Sequence, residues 1–122
     1  MSERVPVLKI GRVLLVSIQT DLDDRAVLDL QEDLSERVVI SGAAGVVIDI
    51  SALEIVDSFV GRMLATIAAV SRLLGAETVV VGMRPPVAMT LVELGLSLPG
   101  VRTALNLERG LVLVRRLSAE TE

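Results

Sequence analysis

A chain of 122 residues, 52% of them apolar, fits one domain with a sizeable core and leaves no room for a linker. It holds no histidine and no cysteine, which removes zinc sites built on imidazole or thiolate, Cys/His nucleophile pairs, a Ser-His-Asp triad and any disulfide framework. The net charge of −4 and the single aromatic, Phe59, argue against a nucleic-acid partner, because phosphates need a positive field and bases need stacking platforms.

The amino terminus, MSERVPVLKIGRVLLV, sets charge at Glu3, Arg4, Lys9 and Arg12 and lacks the uninterrupted apolar core of a signal peptide. No stretch approaches the ~20 apolar residues of a membrane span. Together with the absence of cysteine, which a reducing compartment permits, this points to a cytoplasmic protein.

Val5 to Ile10 and Val13 to Gln19 are apolar-rich runs separated by Gly11-Arg12, a turn-sized gap. They read as a β-hairpin with Leu14, Val16 and Ile18 on one face and Pro6 near a strand start. Thr20 to Asp24 is acidic and opens a helix whose stripe is Val27, Leu30, Leu34 and Val38, closed by Ser41-Gly42. Val46 to Ile50 is a short β-branched run of the kind buried on both faces of a sheet.

After a loop from Ser51 to Val56, Asp57 or Ser58 starts a helix that carries Phe59, Met63, Ile67, Val70 and Leu74 and ends at Gly75. Thr78 to Val81 is another buried strand. Arg84-Pro85-Pro86 pre-sets a helix with Val87, Leu91 and Leu94, ended by Gly95. Val101 to Leu105 reads as a last short strand, and Asn106 caps a helix with Leu107, Leu111, Val114 and Leu117 before a polar tail, residues 118–122, expected to fray.

The order ββαβαβαβα calls for a single α/β domain over residues 1–122, with a mixed, mostly parallel five-stranded sheet that begins with a hairpin. Helices are expected mainly on one face, with the other face partly open to a partner. Met63, Met83 and Met89 read as gap-filling core residues. Arg115-Arg116 is too short for a basic patch and reads as complementing a helix end.

The stretch from Val46 to Gly61 joins a buried strand to a helix and sets Ser58 at the junction, the usual place for binding chemistry in open α/β sheets. It contains no phosphate-cradling glycines. The bland reading of Ser58 is a helix cap. Against it, Leu53, Ile55 and Val56 bring apolar residues into a connection that should be solvated, as an interaction surface would. Asp57 could act as a base for Ser58, but no oxyanion constellation accompanies it, so self-contained catalysis is disfavoured. Asp49 reads as a structural aspartate at a strand end. A receiver domain would need an acidic cluster and a late lysine, and Lys9 is the only lysine.

The segments VLLVSIQTDLDD, QEDL, GVVIDISALEIVDSFVGRML and MTLVELGL, with a Gly-Ala entry to the strand before Thr78, closely resemble the STAS domains of the bacterial anti-sigma-factor antagonist superfamily, in particular the small antagonists of the stressosome. The likeness covers nearly the whole chain, and Asp57-Ser58-Phe59 is its most specific part. It implies a STAS (SpoIIAA-like) fold with no enzymatic activity and no cofactor or metal. It also implies assembly with itself and with co-antagonists of the RsbR type into a large scaffold that sequesters a serine kinase of the RsbT type. By the same resemblance Ser58 is the phospho-acceptor, and Ile55, Val56, Asp57 and Phe59 belong to the docking surface. A free-standing anti-sigma-factor antagonist that binds an anti-sigma kinase is the alternative within the same family.

Overall fold

The computed structural model describes residues 5–19, 22–54, 58–95, 98 and 100–121. Five strands, β1 (Val7–Ile10), β2 (Val13–Ser17), β3 (Gly45–Asp49), β4 (Glu77–Val81) and β5 (Val101–Ala104), alternate with four helices. These are α1 (Asp24–Ser41), α2 (Ser58–Leu73), α3 (Pro85–Glu93) and α4 (Leu107–Thr121). The sheet runs in the order β1-β2-β3-β4-β5, with β1 antiparallel to β2 and every other pair parallel.

Local chemistry accounts for most boundaries. Ile10 pairs directly with Val13, so Gly11-Arg12 is a two-residue hairpin turn. The Asp23 carboxylate accepts a hydrogen bond from the Ala26 N–H at 2.8 Å and caps α1, while Gly42 closes it by donating its N–H to the Val38 carbonyl at 3.0 Å. Asn106 Oδ1 accepts from the Arg109 N–H at 2.9 Å and caps α4. Arg84 precedes α3 with no side-chain cap, and Pro85 at the first helical position supplies the pre-set φ instead.

Because the chain steps in one direction across the sheet, three successive right-handed crossovers must place α1, α2 and α3 on the same face. Their inward residues, Val27, Leu30, Leu34 and Val38 of α1, Met63, Leu64 and Ile67 of α2 and Val87 and Leu91 of α3, pack with Leu14, Val16, Val46, Ile48 and Val80 of the strands. Each such side chain contributes roughly 1.5–3 kcal/mol on burial, far more than differences in helix propensity.

α4 is not a crossover and folds back over the opposite face, where Val114 packs with Val13, Val47, Val79 and Val81. Its approach is close enough to require two glycines. A Cβ on Gly110 would stand 2.4 Å from Val81 Cγ1, and one on Gly45 would stand 2.4 Å from Val114 Cγ2. The second face is therefore covered by α4 over β3 and β4 and is open toward the hairpin, where Leu8 is 59% exposed.

Four expectations need correction. The polar tail expected to fray continues α4 as far as Thr121, and Ser118 Oγ reaches the Val114 carbonyl at 2.7 Å and the Ala44 carbonyl at 3.0 Å. Arg115 and Arg116 consequently lie before the last turn of α4 and do not complement its end. Met89 points outward at 63% exposure, because α3 turns only Val87 and Leu91 inward, whereas Met63 is core as expected. Leu53 belongs to the core at 4% exposure and is not part of an apolar surface.

Candidate functional site

The site is built at the carboxyl end of β3. Val46, Val47 and Ile48 are fully enclosed, which holds the strand rigidly between β2 and β4. Beyond it the backbone is fastened at each step. Ile50 donates its N–H to the Val81 carbonyl at 3.0 Å, and Leu53 donates to the Ile50 carbonyl at 3.0 Å while its side chain enters the core. Asp49 Oδ1 accepts from the Ser51 N–H at 2.9 Å, so the strand-end aspartate has the structural role its position suggests.

The next strand supplies the other wall. Gly82, just after β4, has φ +74°, and a Cβ there would meet Ser51 Cβ at 2.8 Å and Asp49 Oδ1 at 3.0 Å. Only glycine satisfies both the backbone and the space. Two residues on, Arg84 Nε donates to the Ser51 carbonyl at 2.8 Å, and Nη1 lies 3.7 Å from Glu54 Oε1. With side chains 50% and 76% exposed, that ion pair adds little stability, and the Arg84 bond to the backbone is the firmer tie.

Ser58 is the first residue of α2. It is half-buried. Its Oγ accepts a hydrogen bond from Arg62 Nη2 at 3.5 Å, one helical turn along. Phe59 is half-buried against the core cluster, which limits what it can offer a partner. Ile55, Val56 and Asp57, the other expected docking residues, lie outside the described residues.

Arg62 is the residue that reading the sequence missed. The signal was available, since SFVGR places an arginine four residues after the serine, and on a helix that spacing brings the two side chains together. A guanidinium only donates and cannot take a proton. Arg62 is thus the contact shown for the Ser58 hydroxyl among the described residues, and Asp57, the base considered from the sequence, lies outside them. No helix among the described residues is long and apolar enough to cross a membrane.

Comparison with known proteins places this arrangement in context. A STAS domain model matches residues 4–109. The solved structure of Moorella thermoacetica RsbS S58E superposes with a TM-score of 0.82 at 44% identity, covering 96% of this chain and 99% of that one. A chain from the molecular architecture of the stressosome, a signal integration and transduction hub, gives a TM-score of 0.80 at 44% identity, covering 93% and 98%. The Bacillus subtilis RsbT co-antagonist protein RsbRA is 32% identical over 90 residues, 74% of this chain and 33% of that protein, so this chain spans about a third of the length of the curated relatives it matches. The anti-sigma factor antagonist SpoIIAA in its unphosphorylated form shares the fold, with a TM-score of 0.72 at 17% identity over 92% of this chain and 96% of that one.

Proposed function

Because the chain belongs to the STAS domain family, we propose that it is a non-enzymatic, phosphorylatable scaffold subunit of a cytoplasmic stressosome, built with RsbR-like co-antagonists. In this reading it holds a serine kinase of the RsbT type and releases it when Ser58 is phosphorylated, starting a bacterial stress-response cascade. The observation that carries the proposal is the 44% identity with RsbS over nearly the full length of both chains, together with Ser58 at the head of α2. Ile55, Val56, Asp57 and Phe59 are the proposed docking residues beside it.

The chemistry asked of this chain is small. Ser58 Oγ attacks the γ-phosphorus of ATP held by the kinase, the new O–P bond replaces the bond to the departing ADP, and the hydroxyl proton leaves to a base of the kinase or to water. The product carries roughly −1.5 to −2 charge. Placed in a docking surface, that charge must be desolvated or repelled, which weakens kinase binding.

The test is phosphopeptide mapping after incubation with an RsbT-type kinase and ATP, combined with kinase pull-down. Phosphate is expected on Ser58, Ser58→Ala should abolish it while retaining the kinase, and Ser58→Asp should release the kinase. An acidic residue at a helix N-terminus gains about 0.3–1 kcal/mol, so the Asp variant should fold at least as well as the Ala variant and yet bind less well. Phosphate found only at Thr20, Thr66 or Thr90, or an Asp variant that holds kinase as firmly as the natural chain, overturns the reading. Size-exclusion chromatography with an RsbR-like partner separates a scaffold subunit, which enters a very large assembly, from a free-standing antagonist, which forms only a small complex.

A further inference from the structure

The guanidinium next to Ser58 has no task in the function just proposed. Arg62 sits on the exposed side of α2, and the Ser58 hydroxyl is its hydrogen-bond partner among the described residues. At 3.5 Å this contact is at the long limit of a hydrogen bond and leaves the side chain free to be recruited. Arg84, the cation before α3, is committed to the Ser51 carbonyl and lies against Glu54.

From this geometry we propose that Arg62 is the built-in receptor for the phosphate on Ser58, an inference that rests on Ser58 being the acceptor. A phosphoryl group adds roughly −1.5 to −2 charge and three acceptor oxygens on Oγ, the atom that Nη2 already contacts. The long contact then becomes a charge-assisted bond of about 2.7–2.9 Å, and the planar fork can hold two phosphate oxygens at once. An anion four residues before a cation is the better of the two orders on a helix.

Two effects follow from the capture. The phosphate keeps its dianionic form to lower pH, because the guanidinium favours the charged state. Phosphorylation also withdraws Arg62 from the surface that the unmodified chain presents, so the docking face changes by a lost cation as well as a gained anion. Of the charged groups on the surrounding elements, Arg62 is the one in contact with Ser58, while Glu54 before α2 and Arg84 before α3 face each other at 3.7 Å. Asp57, next in sequence, lies outside the described residues.

The test uses the full chain with phosphoserine installed at position 58 by genetic encoding, so that no kinase is needed. The second ionisation of the phosphate, ordinarily near pH ~6, is followed by phosphorus NMR at low salt in the natural chain and in Arg62→Gln, Arg62→Lys and Arg84→Gln variants. Arg62→Gln is expected to raise the midpoint by about 0.15–0.4 of a pH unit, as an i,i+4 pair should. Arg62→Lys should restore much of the shift, and Arg84→Gln should leave it in place. Amide spectra of the unphosphorylated variants confirm the fold, which an exposed arginine on a packed helix does not determine. Equal midpoints with and without Arg62, or a shift as large from Arg84→Gln, overturn the inference. A kinase that fails to modify Ser58 overturns the functional proposal and leaves this measurement standing, so the two failures are distinguishable.

Discussion

Thr78 carries a buried hydroxyl. The residue is 2% exposed near the start of β4, and its Oγ1 has no hydrogen-bond partner among the described residues. An unsatisfied buried hydroxyl costs about 1–3 kcal/mol, whereas valine has nearly the same shape and no polar atom. Thr78→Val should therefore stabilise the fold by about 1 kcal/mol, read as a higher denaturant midpoint at unchanged slope. The site itself has the opposite economy, because Asp49, Ser51 and Arg84 meet each other's needs through short bonds to backbone groups. At this scale the sequence was informative where chemistry is local. Asp49 could be recognised as a strand-end structural residue, and the Asn106 cap from its place before an apolar stripe. Leu53 and Met89 could not be sorted into core and surface, because both are apolar residues whose burial depends on which way a loop or a short helix is turned by distant partners.

Among the elements, α4 depends most on contact and least on propensity. A glycine in a helix costs about 0.8–1 kcal/mol relative to alanine, so on intrinsic grounds Gly110→Ala should help. Packing decides otherwise, since the added methyl would stand 2.4 Å from Val81 Cγ1, and overpacking of a filled core costs about 1–3 kcal/mol. The expected net effect is a loss of stability of up to about 2 kcal/mol from the balance of those two terms. Combining Gly110→Ala with Val81→Ala should cost less than the sum of the two single changes, because the second makes room for the first. A double-mutant cycle in urea checks this, and strict additivity would mean that α4 simply rides up on the sheet. The helix was legible from its cap and stripe. Its position was not, because nothing local distinguishes a final helix that joins its predecessors from one that crosses to the other face.

At the scale of the whole molecule, the alternation of strands and helices determined the sheet type, and right-handed crossovers then placed three helices on one face. That much followed from pattern alone. The proposed scaffold role adds a requirement that pattern cannot supply, namely contact with further copies or homologous domains. Static light scattering at tens of micromolar should give a mass of at least two 13.0 kDa chains, as symmetric dimers are the commonest solution. A strictly monomeric protein at that concentration would count against the scaffold role while leaving the fold and the chemistry of Ser58 untouched.

The two rims of the sheet bear on what such gathering would risk. β1 and β5 are each four residues long, and each carries an exposed cation, Lys9 in one and Arg102 in the other. Long, flat, uncharged rims invite strand addition from neighbouring molecules and growth into fibres. Here an incoming strand finds only a few backbone groups to pair with and a like charge if it comes from a second copy. In the proposed scaffold, contacts between copies are therefore expected through side-chain surfaces and not through strand addition.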